Sequence, residues 1–419
     1  MLRSLSVQVL IALALGLAIG AAVAAYGASG LKAGVEGVEA VGGLWLNSLR
    51  MTIIPLVFSL LVVGIASVTD AAATGRLAAR ALGWFAVLIV FASLYAMAAA
   101  NGILALWPVS AEASAALLRG VGAAREAIPA QPPLGDWIKS LAPANPVKAA
   151  AEDAILPLVV FSVFFGFAAT RLSEDLRRPL LGFFQAISDV MITIVRWVLV
   201  VAPFGVFALA LGVGLRAGVG AAGVIAHYVG VVVLAQVGLI LLTYLLPVVW
   251  GRMPLITFAR GAAPAQAVAF STQSSLASLP AMVERAQDSL GIPQRVTGLV
   301  LPLAVALFRI TSPVANLAVA FFMAAVYGLH PSVAQIAGAV AVSWAISVSS
   351  VGLPGQVSFF ASLLPICLAL GVPVELLPIL LAVEVAPDIF RTVGNVTGDL
   401  AVTTVLARGE PRPSEMAEA

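Results

Sequence analysis

Charge is what this chain has least of. Asp, Glu, Lys and Arg make up 10% of the 419 residues against a hydrophobic share of 61%, and mean hydropathy is +1.08, so no soluble fold could hide the apolar surface. Cysteine occurs once, at Cys367, which rules out an intrachain disulfide and a thiolate metal site. The only histidines, His227 and His330, lie far apart and each reads as an ordinary packing residue, so neither a metal nor a cofactor is expected. No motif joins a nucleophile to a base, which argues against an enzyme. The formal net charge of +2 arises from Lys and Arg scattered through loops, without the patch that nucleic acid requires.

What is present is one hydrophobic run after another. Spanning candidates fall at about 6–27, 43–67, 81–106, 154–171, 183–213 and 222–249, then 293–327 and 373–407. About 20 apolar residues of helix cross a hydrocarbon core, and backbone in lipid must satisfy its own hydrogen bonds. The expected class is therefore an all-α polytopic bundle. The N-terminal apolar run, about Val7 to Ala25, is too long for a signal peptide and lacks a cleavage site, so it reads as the first spanning helix. The Pro- and Ala-rich stretch from Trp107 to Asp153 reads as an external loop with partial helix.

Two further apolar segments, 255–285 and 334–368, are each interrupted near the middle, by Ser271 to Pro280 and by Ser347 to Gly355. Such Ser, Gly and Pro clusters end helices, and non-helical backbone at membrane depth survives only inside protein or along a cavity. Each segment is expected to be a re-entrant hairpin, the pair marking inverted repeats around a site near the midplane, with Pro-kinked spanning helices as the alternative. Arg252, Arg260, Arg285 and Arg295 flank the first hairpin, which places its ends in the cytoplasm. Between Arg309 and Arg391 there is no Lys or Arg, so the second hairpin enters from outside. Arg76, Arg80, Arg171, Arg177, Arg178 and Arg408 put the adjoining loops and the C-terminus inside, and the N-terminus is taken as cytoplasmic too.

The last spanning segment carries a ladder: Asp388, Arg391, Thr392, Asn395 and Asp399 fall on one helical face. Charges are tolerated at membrane depth only toward a protein interior or a wet cavity, and five polar positions on one stripe point to a binding site more than to structural glue.

The order of elements and several motifs resemble the dicarboxylate/amino acid:cation symporter family, the glutamate transporters and their prokaryotic relatives. The motifs are Met51 to Phe58, Ala202 to Phe207, Ser274-Ser275 with Leu279-Pro280, Val300 to Leu303, Gly352 to Gly355, and Asn395 to Asp399. The resemblance covers nearly the whole chain. It implies eight spanning helices, two hairpins and a homotrimer working by an elevator motion. Residues 1–80 would be scaffold helices one and two, 81–107 helix three of the transport domain, and 108–221 the external loop with scaffold helices four and five. Residues 222–408 would form the transport core and 409–419 a cytoplasmic tail. The resemblance further implies that Arg391 grips a side-chain carboxylate, as a planar guanidinium can do bidentately, and that Asp388 pairs with the substrate ammonium. It gives Thr392 and Asn395 the main-chain ends of the substrate, and places Ser312 near the distal carboxylate. Ser274, Ser275 and Gly355 would add hairpin-tip contacts, with Ser350, Gly352, Pro354 and Gly355 as an external gate. Dicarboxylate members lack the acid at Asp388 and neutral amino acid members lack the arginine, so the pair favours a small acidic amino acid.

The chain departs from the family in its seventh helix. Where sodium-coupled members carry Asn-Met-Asp-Gly-Thr, this sequence has Phe308-Arg309-Ile310-Thr311-Ser312, and Leu88 and Ile89 stand for hydroxyl residues of the third helix. Hard cations need several oxygen ligands, so at least one sodium site is expected to be absent. Arg309 is expected to pair with Asp399, or with Asp388, as a fixed cation; the alternative is that it snorkels to an interface. A proton carried by Asp388, Asp399 or Glu384 is then the simplest coupling ion, while uncoupled transport or exchange fits the same residues. The expected function is a sodium-independent carrier of aspartate or glutamate in a bacterial-type inner membrane, with membrane lipids and further copies of the chain as partners. A carrier for another dicarboxylate or amino acid, or a substrate-gated anion channel, remains open.

Overall fold

The structure, a computed structural model, describes residues 5–26, 29–73, 75–120, 139, 141–152, 154–217, 220–349 and 355–408. Among these residues there is no strand. Helices α1 (Leu5–Tyr26), α2 (Ser29–Arg50), α3 (Ile53–Ala73) and α4 (Arg76–Leu106) lead to two short helices, α5 (Ala111–Gly120) and α6 (Pro146–Ala151). Then come α7 (Ile155–Ala169), α8 (Glu174–Val200), α9 (Ala202–Ala217), α10 (Gly220–Thr243) and α11 (Leu245–Val249). The C-terminal part holds α12 (Leu255–Thr272), α13 (Ser275–Asp288), α14 (Gln294–Leu307), α15 (Thr311–Tyr327), α16 (Val333–Ser349), α17 (Gly355–Leu370), α18 (Leu377–Val383) and α19 (Val385–Leu406).

Among the described residues six helical stretches are long and apolar enough to cross a membrane: Val7–Tyr26, Gly34–Thr69, Arg76–Leu106, Glu174–Val200, Ala222–Val249 and Gln294–Tyr327. The ladder helix α19 is not among them, because Asp388, Arg391 and Asp399 interrupt its hydropathy. Its charges are accommodated by burial: α4, α10, α12, α13, α14 and α15 pack around it, and α15 is itself buried along almost its whole length. At the periphery α1 crosses α9 at backbone contact. A Cβ on Gly20 would strike the Leu211 carbonyl and one on Gly214 would strike Leu17, so small residues set this crossing.

Several expected spans are broken where apolar length alone suggested continuity. The segment 43–67 is divided at Met51-Thr52, 183–213 at Val201, 222–249 at Tyr244, 293–327 at Phe308 to Ile310, and 373–407 at Glu384. A proline removes one helical hydrogen bond and its ring clashes with the carbonyl four residues earlier. Pro55, Pro203, Pro247, Pro313 and Pro387 follow the respective breaks by two to five residues, and Met51, Arg309 and Val383 stand four residues before Pro55, Pro313 and Pro387. Prolines 179, 264, 280, 302 and 365 are nevertheless held inside helices.

Both interrupted segments are pairs of helices packed on each other, α12 with α13 and α16 with α17. In the first the reversal is at Gln273, in the left-handed region at φ 52°, followed by Ser274 as the cap of α13; Pro280, expected to help end the helix, lies within it. The expected break of the second hairpin, with the gate residues Ser350, Gly352 and Pro354, lies outside the described residues.

Candidate functional site

The site is built where α18 ends and α19 begins. Glu384 occupies the break, Asp388 the first turn of α19, and Arg391 the next, so the three side chains share one face. Arg391 is 5% exposed and Glu384 3%. The guanidinium bonds Glu384 Oε1 through Nη2 and Asp388 Oδ1 through Nη1 at 3.2 Å, while its buried Nε has no partner among the described residues. The other Glu384 oxygen accepts a hydrogen bond of 2.7 Å from the Tyr228 hydroxyl on α10, and the Tyr228 ring is fully buried edge-on to Phe322. One guanidinium thus holds two carboxylates, and one of these is also held by a phenol.

One turn further on, Asn395 and Arg391 secure the start of α15. The Thr311 N–H donates to Asn395 Oδ1 at 3.1 Å, and the Thr311 hydroxyl lies 2.8 Å from both Asn395 Oδ1 and the Arg391 carbonyl. Asn395, expected to hold a substrate end, therefore spends its carbonyl oxygen on Thr311. Thr392 donates to the Asp388 carbonyl at 2.9 Å. Ser312 is buried on the first turn of α15, its N–H bonded to the Arg309 carbonyl at 3.0 Å.

Asp399 is fully buried, and neither of its carboxylate oxygens has a hydrogen-bond partner among the described residues. Arg309, in the break between α14 and α15, interacts electrostatically with Asp388, Asp399 and Arg391. The direct pair expected between Arg309 and Asp399 is not closed: among the described residues Arg309 makes no salt bridge, and the two charges act across a gap. Phe308 and Ile310, each 1% exposed, flank it on the chain and turn toward α19. A Cβ on Gly398 would sit 2.7 Å from Ile310 Cγ2 and 3.4 Å from Phe308 Cε1, and Phe308 stacks on Phe85 with centroids 4.7 Å apart. Leu88 and Ile89 are buried as well. The side chains set against Gly398, next to Asp399 in the chain, are thus hydrocarbon.

The first hairpin is tied to the ladder helix by Gln266, which donates to Thr397 Oγ1 at 2.7 Å. Ser274 Oγ caps α13 through the Ala277 N–H at 3.2 Å, and Ser275 is the first helical residue; both are half-buried, and the hydrogen bonds of Ser274 are local. Gly355 opens α17. His227 packs on Trp107, ring centroids 4.1 Å apart, as a packing residue would. Sequence reasoning missed Tyr228 and Thr311. A single Tyr in the apolar run of α10 carries no signal, whereas a hydroxyl residue two positions before Pro313 marks a helix start.

The sequence model of the sodium:dicarboxylate symporter family matches residues 5–409. A "Proton/glutamate-aspartate symporter" of Escherichia coli (strain K12) is 29% identical over 97% of this chain and 93% of its own length. A "Proton/sodium-glutamate symport protein" of Bacillus subtilis (strain 168) is 27% identical over 97% and 92%. A human "Neutral amino acid transporter B(0)" is 30% identical over 93% and 77%. With its helical bundle and the charged ladder at its centre, the chain belongs to the sodium:dicarboxylate symporter family, as a multi-pass membrane transporter and not an enzyme.

Proposed function

We propose that this chain is a sodium-independent, proton-coupled carrier of aspartate or glutamate, working by an elevator motion within a homotrimer of a bacterial-type inner membrane, both termini cytoplasmic. The observation that carries the reading is Arg391: a buried guanidinium on an acid-rich face, in a family whose matched relatives include glutamate and aspartate symporters. The charges support a proton. Arg309 and Arg391 face Glu384, Asp388 and Asp399, so the unprotonated cluster carries one excess negative charge before an anionic substrate arrives. The apolar wall of Phe308, Ile310 and Phe85 supports the absence of a sodium site beside Asp399, with Arg309 supplying positive charge there at a distance. Asp388 serves the substrate ammonium, Asn395 and Thr392 its main-chain end, and Ser312, Ser274, Ser275 and Gly355 the rim of the pocket.

A second reading has its own observation. Glu384 already occupies Arg391, and a built-in carboxylate could stand in for the side chain of a neutral amino acid. A binding screen of aspartate, glutamate, neutral amino acids and C4-dicarboxylates, with sodium or with choline, separates the readings. Acidic amino acids should bind equally in both salts. Tenfold tighter binding in sodium would overturn sodium independence, and binding of neutral amino acids alone would overturn the substrate.

A further inference from the structure

We propose that Glu384 is the seat of the coupled proton, that a substrate carboxylate loads it by displacing it from Arg391, and that Tyr228 is the positioning residue that keeps it in place. The proposal rests on the reading of the substrate as an acidic amino acid. In the structure Arg391 Nη2 is committed to Glu384 and Nη1 to Asp388. A substrate carboxylate that engages the guanidinium bidentately needs two of its N–H groups side by side, and the side bearing Nη2 is occupied by Glu384. Substrate and Glu384 therefore compete for one cation.

Once displaced, Glu384 has left to it the Tyr228 hydroxyl and an interior of almost complete burial. A carboxylate without its cation in such surroundings is neutralised by binding a proton. A phenol can follow this change, since its oxygen accepts as readily as its O–H donates. Tyr228 donates to the carboxylate while Glu384 holds Arg391, and accepts from the carboxylic acid once substrate has displaced it. Its ring is fixed against Phe322, so the hydroxyl stays in place while Glu384 changes partner. When substrate leaves, Glu384 returns to Arg391 and releases the proton, one for each substrate carried.

Among the described residues the groups facing Glu384 are Tyr228 from α10 and Arg391 and Asp388 from α19, with Cys367 of α17 beside Tyr228 and Arg309 facing Asp388 and Asp399. Of the other acids, Asp399 has a carboxylate with no hydrogen-bond partner among the described residues, so substrate arrival breaks no bond of it. Asp388 is the more exposed, its side chain 16% exposed against 4% for Glu384, and keeps a substrate ammonium as a new partner.

The test is aspartate binding to the detergent-purified full chain as a function of pH, with proton uptake followed by a dye, in wild type, Glu384→Gln and Tyr228→Phe. Wild-type affinity should weaken about tenfold per pH unit on the alkaline side, the slope for one linked proton, with one proton taken up per aspartate. Glu384→Gln, a permanent mimic of the loaded acid, should show affinity that changes less than twofold per unit and no linked uptake. Tyr228→Phe should keep the slope and bind aspartate roughly threefold more tightly at alkaline pH, because a charge-assisted bond in the ligand-free state outweighs the neutral bond lost in the bound state. If wild type binds no acidic amino acid, the substrate reading and this inference both fail. If wild type binds with the expected slope and Glu384→Gln retains it, the proton resides elsewhere and this inference alone fails. Should Glu384→Gln not fold, wild-type infrared difference spectra decide: a carboxylic acid band must appear with aspartate and shift in Glu384→Asp, and its absence overturns the assignment.

Discussion

Arg391 is the residue on which the site turns, because it is the shared partner of Glu384 and Asp388 and its carbonyl receives Thr311. Arg391→Ala should abolish acidic-substrate binding and lower thermal stability, since it leaves two acids without their cation. Losing one member of a buried ion pair costs about 3–5 kcal/mol, roughly a hundredfold or more in affinity. Asp388→Ala should weaken amino acids more than dicarboxylates, which carry no ammonium. Calorimetric titration of both ligand classes with thermal melting checks the two variants, and wild-type aspartate affinity in Arg391→Ala would remove it from the site. The ladder was legible in the sequence because Asp388, Arg391, Thr392, Asn395 and Asp399 interrupt an apolar run at helical spacing. The role of Tyr228 was not, since it depends on α10 lying beside α19, a contact between residues 156 positions apart.

At the scale of elements, the informative features are the breaks. Apolar length predicted single spans through Phe308 to Ile310 and through Glu384, because one charged residue in each break does not outweigh the Phe, Ile and Val residues beside it. The signal that survives is a proline three or four residues downstream, as Pro387 stands to Glu384 and Pro313 to Arg309. Two such breaks meet at the site: one frees Glu384 to reach Arg391 and the other presents Thr311 to Asn395. Thr311→Val should therefore act on both α15 and α19. It removes the hydroxyl bond shared by Asn395 and the Arg391 carbonyl while leaving the backbone bond to Asn395, at a cost of about 1–3 kcal/mol for a buried polar group left unmatched. The expected outcome is a lower melting temperature together with weaker aspartate binding. Loss of stability with unchanged affinity would show that the Thr311 junction supports the helix but not the pocket.

Across the whole molecule, the balance of buried charge and the proposed elevator motion make separate demands. Arg309→Ala leaves three acids facing Arg391 alone, so aspartate binding should weaken at neutral pH. Adding Asp399→Asn should recover part of that loss, because the excess charge and the acid with no hydrogen-bond partner are removed together. No recovery in the double variant would mean that Arg309 acts on Asp388 instead. The proposed elevator motion bears on a different ion pair, Arg50 at the end of α2 with Glu375 just before α18, at 3.0 Å. The first belongs to the proposed scaffold and the second to the proposed transport core, so an elevator stroke must separate them. Each side chain is more than one third exposed, so the pair can open at little cost, which suits a contact made in one state and released in another. Cysteines at positions 50 and 375 in a Cys367→Ser background, joined by a short bis-maleimide, should stop uptake into proteoliposomes yet leave aspartate binding on the open side intact, with reagent-free protein as the control. Uptake at the uncrosslinked rate after complete crosslinking would show that α2 and the segment before α18 do not part during transport.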